Sequence, residues 1–202
     1  MTWEGRLLAV VTAVLVVFGL AAVYGASSLV TTAGGQVGSS FALRQAVGAV
    51  VGGLLAIVFA RTDYHRWRGW AWPLLWVTAL LLIIPLLPFT HPITPTINGA
   101  RRWVNLGVLT LQPSELAKFA VVVWCAMLAA KKGEQLREFQ KGVLPFVVIL
   151  VPVTGLIFLE PHLSMALLVA LLAGSVMFTA GAKIGHFLAL GVAAGPLLFG
   201  AV

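Results

Sequence analysis

The sequence predicts an all-α fold, a polytopic bundle of transmembrane helices, on three observations. The chain is 60% hydrophobic and only 9% charged. Its mean hydropathy is +1.03, and its charges fall in short segments between long apolar runs. A soluble core with a soluble surface cannot be built from that composition. The net charge of +7 would suggest nucleic acid in a soluble protein, but here basic loops alternate with apolar spans, which is the positive-inside pattern and excludes nucleic-acid binding.

The apolar runs define six complete spans and a partial seventh: Leu7 to Val30, Leu43 to Ala60, Trp70 to Leu87, Ser114 to Ala130, Val143 to Leu159, Leu163 to Ala180, and Ile184 to Val202. Residues 33–40, Gly- and Ser-rich, read as a flexible turn between the first two. The loops at 61–68 and 131–141, with Lys183, hold most of the Lys and Arg, and Arg6 lies on the same side by parity. The amino terminus is therefore expected in the cytoplasm, and the 33–40 turn, the 88–112 loop and Glu160-Pro161-His162 on the outer side. The first run is longer than the apolar region of a signal peptide and is read as a retained span. Trp67, Trp70, Trp72 and Trp76 read as interfacial anchors, with Trp103 at the opposite boundary. The single cysteine, Cys125, lies within a span, without a partner for a disulfide, and reads as packing. Residues 1–202 are expected to form one integral membrane domain. The apolar carboxyl end suggests the front part of a longer protein.

Charge at the mouth of a span is the strongest functional signal. Glu115 and Lys118 stand three apart, on one helical face, and no charge follows from Phe119 to Ala129. They serve either a site or a structural ion pair that locks the fourth span to its neighbours. Upstream, Pro88, Pro92 and Pro95 stiffen the loop, Asn98-Gly99 offers a turn, and Arg101-Arg102-Trp103 places two cations beside an aromatic ring. Guanidinium groups bind phosphate bidentately. Gln112-Pro113-Ser114 starts the fourth helix with proline at its first position, so orphan N–H groups and the positive end of the helix dipole point the same way. A diphosphate head group suits that place; the alternative is that the arginines snorkel to lipid phosphates. Arg44, at a span edge, carries the same two readings. His162 could act as a base, bind a metal ion or cap the outer turn. His65, His91 and His186 show no metal-ligand spacing, and no nucleotide-binding loop is present.

Asn98-Gly-Ala-Arg-Arg-Trp103 and Gln112-Pro-Ser-Glu-Leu-Ala-Lys118 together resemble the signature of the RodA/FtsW (SEDS) family of bacterial shape, elongation, division and sporulation proteins. Residues 19–28, Arg44-Gln45 and Asp63-Tyr64 are similar to further family segments, so the resemblance runs along the whole chain. It implies a peptidoglycan glycosyltransferase in the bacterial cytoplasmic membrane that polymerises lipid II into glycan strands, paired with a class B penicillin-binding transpeptidase. On that reading Arg44, Arg101, Arg102 and Lys118 hold the diphosphate, and Glu115 orients Lys118 or a divalent metal ion (Mg or Mn). Trp103, Gln112, Ser114 and His162 line the substrate site. The acidic residue that the family uses in catalysis belongs to a later outer loop, beyond this chain. One departure stands out: where many members read Pro-Asp-Leu-Gly-Thr, this chain reads Pro161-His162-Leu-Ser-Met165, with Glu160 before it. Two other classes share these features, a flippase for a lipid-linked precursor and a non-catalytic scaffold for a cell-wall synthase. The absence of internal repeats and the gathering of charge at one face favour surface chemistry over alternating access.

Overall fold

The computed structural model describes residues 3–27, 39–97, 99–105 and 110–199, with side chains omitted at 39–42 and 193–199. Among them are seven α-helices: α1 Trp3–Ser27, α2 Ser39–Arg61, α3 His65–Ile83, α4 Pro113–Lys132, α5 Leu144–Leu159, α6 Leu163–Thr179 and α7 Ile184–Phe199. Each covers one expected apolar run. The helical segments α1 to α5 are long and apolar enough to cross a membrane, whereas α6, with 17 residues, is shorter. Most of the 33–40 turn, with Asn98 and 200–202, lies outside the described residues.

One feature departs from an all-helical chain. The α3–α4 connection carries two short antiparallel ladders, β1 Thr96–Ile97 with β2 Ala100–Arg101 and β3 Val104–Asn105 with β4 Thr110–Leu111. Pro88, Pro92 and Pro95 interrupt helix, and Gly99, at φ 78°, supplies the left-handed residue that a tight hairpin needs.

The chain divides into two compact units, residues 1–63 and 64–202. In the first, α1 pairs with α2, and none of the described side chains of either helix is buried. Gly48 and Gly52, whose spacing would permit close helix approach, have nothing within 4 Å of an added Cβ.

In the second unit α4 is the central helix, packed against α3, α5 and α6. Its buried residues Ala117, Ala120, Val121, Trp124, Cys125 and Ala129 include pairs three and four apart, such as Ala117–Val121, Ala120–Trp124 and Val121–Cys125, and form one face. The facing sides are built likewise, from Ala71, Leu75, Thr78 and Leu82 on α3 and Met165, Ala166, Val169, Ala173 and Met177 on α6. Small residues dominate these contacts because helices in lipid gain stability from close packing, not from leaving water. Trp124 is 1% exposed and meets Trp72 and Phe146 edge-on, at ring distances of 5.5 and 5.8 Å. Trp70 and Trp76 are exposed, while Trp67 and Trp72 contact rings on α4.

Between α4 and α5 a 3₁₀ turn at Gly133–Arg137 meets a π turn at Phe139–Val143. Gly142 lies where they touch: a Cβ there would collide with the Gln135 carbonyl oxygen and come within 2.6 Å of Leu136 Cα. Because both obstacles are backbone, Gly142→Ala is expected to destabilise the fold by about 2 kcal/mol or more. The purified protein's melting temperature reads this directly, and an unchanged value would contradict the packing.

Candidate functional site

The site is built from the second unit alone; Arg44 belongs to the first, exposed on α2. Three segments supply it: the α3–α4 connection, the first turns of α4, and the α5–α6 turn at Glu160-Pro161-His162.

The connection is ordered by its own polar groups. Thr90 Oγ1 donates to the carbonyls of Ile84 and Leu87 at 2.7 and 2.8 Å, and Thr94 Oγ1 donates to Thr90 at 2.8 Å. The Asn105 amide donates to Ile93 at 2.7 Å. Arg101 Nη1 donates to the Leu87 carbonyl at 3.3 Å, tying the first hairpin to the preceding turn. Arg101 is thus partly engaged with backbone. Arg102 is half-buried, and its Nε–H has no hydrogen-bond partner. Trp103 is half-buried beside it.

At α4, Gln112 is the N-cap in extended conformation, with Pro113 following at the first helical turn. The expected helix start is therefore found, but neither the Gln112 nor the Ser114 side chain caps it. Ser114 is fully buried and its Oγ lacks a partner. Glu115 and Lys118 form the ion pair that their spacing predicts, at 2.8 Å. The pair is not buried: the side chains are 54% and 29% exposed respectively. Such a pair adds little to stability.

The α5–α6 turn contributes the group that the sequence reading treated only as a neighbour. Glu160 is 1% exposed, and neither carboxyl oxygen has a hydrogen-bond partner. Burial pushes its pKa up to about 8, against the opposing pull of the Arg102 guanidinium. His162 is half-buried. Its pKa is lowered by burial and by Arg102, with Glu115 pulling the other way. Its backbone carbonyl, not its ring, caps α6 by accepting from Met165 and Ala166. These mutual influences place Glu160, Arg102, His162 and the Glu115–Lys118 pair in one electrostatic neighbourhood. A cleft of about 380 Å³ opens against it, walled by Pro85, Thr96, Gly99, Arg101, Glu160 and Pro161.

The raised pKa of Glu160 fixes the sign of a pH effect. Between its ordinary value of 4.5 and about 8 the folded chain keeps a proton that the unfolded chain has shed. Stability is therefore expected to fall as pH rises through that window and to level off above it. Melting temperatures across about pH 5 to 9 should show this fall, and Glu160→Gln should remove its share of the slope. An identical slope in both proteins would exclude Glu160 as its source.

The sequence brought Arg102, Glu115, Lys118, Ser114 and His162 to attention; Arg102 and Glu115 act on His162, Lys118 pairs with Glu115, and Ser114 lies buried in the same first turn of α4, but none of the five lines the cleft. The sequence missed the weight of Glu160, for which the available signal was a carboxylate set between two apolar runs directly before a proline.

Comparison with known proteins identifies the family. Residues 5–201 match the model of the FtsW/RodA/SpoVE cell cycle proteins. The chain is 36% identical over 181 residues to a probable peptidoglycan glycosyltransferase FtsW of Trichlorobacter lovleyi, covering 90% of this chain and 47% of that one. It is 30% identical to the stage V sporulation protein E of Bacillus subtilis, over 92% and 50% of the two chains. Among solved structures, the rod shape determining protein RodA of Thermus thermophilus superposes with a TM-score of 0.64 at 32% identity, over 90% of this chain and 58% of that one. A chain from a peptidoglycan synthase complex that coordinates polymerisation and crosslinking gives 0.66, also at 32% identity, over 91% and 52%. The chain thus spans about half the length of the curated relatives it matches. With its apolar helices, its Arg-Arg-Trp and Gln-Pro-Ser-Glu motifs and this match along nearly its whole length, the chain is a multi-pass membrane protein of the FtsW/RodA/SpoVE family.

Proposed function

We propose that this chain forms part of a peptidoglycan glycosyltransferase that polymerises lipid II into glycan strands at the outer face of the bacterial cytoplasmic membrane. The observation that carries the reading is that Arg102 from the hairpin segment and Glu115, paired with Lys118 in the first turns of α4, both act on His162. Cations and a helix N-terminus at one place suit a diphosphate, and a membrane-embedded bundle suits its polyprenyl tail. In glycosyl transfer an acceptor hydroxyl loses its proton while the bond from the sugar to the diphosphate breaks. The chain's own residues serve the second event. Arg102 and Lys118 compensate the charge gathering on the departing diphosphate, Arg101 supports them from the hairpin, and Glu115 holds the Lys118 ammonium in place. Trp103, Gln112 and Ser114 shape the mouth. The acceptor's proton is left to the acidic residue that the resemblance assigns to a later outer loop.

A divalent metal ion would supply further charge compensation, but among the described residues no three His, Cys, Asp or Glu side chains cluster as ligands. The residues present fit a cationic cradle better than a metal cage, and no step is assigned to a metal here. The proposed topology has six spans and part of a seventh, with the amino terminus in the cytoplasm and the α3–α4 connection outside. A class B penicillin-binding transpeptidase is the proposed partner, supported by the likeness to a chain of a synthase complex.

The test is polymerisation by the whole gene product, purified with and without the transpeptidase and supplied with lipid II. Glycan ladders on a gel are expected. Lipid II that crosses the membrane without being polymerised would replace this reading with a flippase.

A further inference from the structure

We propose that Glu160 is a binding group for the sugar of the lipid-linked substrate, contacting a hydroxyl or acetamido group in the cleft between the first hairpin and the α5–α6 turn. This deepens the glycosyltransferase reading and rests on it.

Buried polar groups are almost always paired, because an unpaired one forfeits its hydration with no return. Both Glu160 oxygens are buried and unpaired, as is the Nε–H of Arg102, the cation that acts on Glu160. Glu160 also forms part of the wall of a cleft of about 380 Å³. That size accommodates a small polar moiety, and Thr96 and Gly99 of the first hairpin also line it. Gly99 carries no side chain to fill the space.

The chemistry of the occupant follows from charge. Arg101 borders the same cleft, so a group joined to the diphosphate would lie beside it. An ionised carboxylate there would repel the diphosphate. A protonated one would not, and burial holds the Glu160 proton up to about pH 8. In that form the carboxyl offers one donor and one acceptor, the pairing that a sugar hydroxyl or an acetamido N–H and C=O can meet. A second phosphate or a cation would not use both.

The experiment measures the whole gene product's affinity for two probes: a polyprenyl diphosphate, and the same lipid carrying an N-acetylated disaccharide. Glu160→Gln keeps a neutral donor and acceptor. Glu160→Met keeps the length of the side chain but removes both, and should fold at least as well because it deletes an unpaired buried carboxyl. Wild type and Glu160→Gln are expected to bind the sugar-bearing lipid about tenfold more tightly than the bare one, and Glu160→Met to lose that gain. If Glu160→Met keeps the preference, or Glu160→Gln loses it too, the subsite is overturned while the glycosyltransferase reading stands. Equal affinity of the wild type for both lipids also overturns the subsite. Binding of neither lipid removes the glycosyltransferase reading and the subsite together.

Discussion

Replacing Lys118 by Met in the whole gene product is expected to reduce glycan polymerisation by about a hundredfold or more while leaving the melting temperature nearly unchanged. The two halves of that expectation come from different observations. Lys118 pairs with Glu115 at 2.8 Å, but both side chains remain partly exposed, 29% and 54%. A pair so placed is worth little to the fold, so its loss should not melt the bundle. Paired with the Glu115 that acts on His162, the same ammonium is the group that the proposed reading sets against charge developing on a departing diphosphate, where a single preorganised donor typically matters most. The charge-reversed double variant Glu115→Lys/Lys118→Glu separates the two roles. It restores an ion pair at the same helical spacing but aims a carboxylate where the ammonium stood. Polymerisation is expected to stay lost in the double variant. Recovery of activity there would mean that the pair only fastens α4 to its surroundings.

Replacing Trp124 by Ala is expected to cost about 3 kcal/mol of bundle stability, and replacing it by Phe less than about 1 kcal/mol. In water the Ala variant would lose both transfer energy and packing. In lipid the transfer part largely vanishes, because the acyl chains are as apolar as the protein interior. What remains is the cavity left between α3, α4 and α5, where the indole meets Trp72 and Phe146 edge-on. Phe is tolerated for a second reason: the indole Nε1–H is buried without a partner, so removing it deletes an unmet donor. Unfolding of the detergent-solubilised protein, followed by tryptophan-independent circular dichroism, would show the contrast. Equal losses for both variants would mean that the N–H has a partner that matters.

How much of this was written in the chain can be judged residue by residue. Each described helix falls on an apolar run, because a bilayer leaves a spanning segment no other way to satisfy its backbone. The sequence did not show which side of each helix is buried. The spans are apolar nearly all round, so hydrophobicity cannot separate the face toward lipid from the face toward protein. Nor do the alanines mark it: Ala71, Ala117, Ala120, Ala166 and Ala173 are buried, whereas Ala126, Ala130 and Ala170 on the same helices are exposed. The β1–β2 ladder was legible only as the turn at Asn98-Gly99 and the β3–β4 ladder not at all, since ladders of two residues leave no alternation to read.

The sequence by itself determined the class of the protein, its apolar segments and the chemistry at the start of α4, because charge within an apolar chain is costly and therefore placed. The spacing of Glu115 and Lys118 already implied their ion pair, and Pro113 already implied the helix start. Only the tertiary structure decided that Arg102, His162 and Glu160, up to 60 positions apart from one another in the chain, act on one another. Burial of a carboxyl is a property of its surroundings, made by other segments folding over it. That is why Glu160 reads as one more acidic residue in a line of letters and as an unpaired carboxyl beside an arginine in three dimensions.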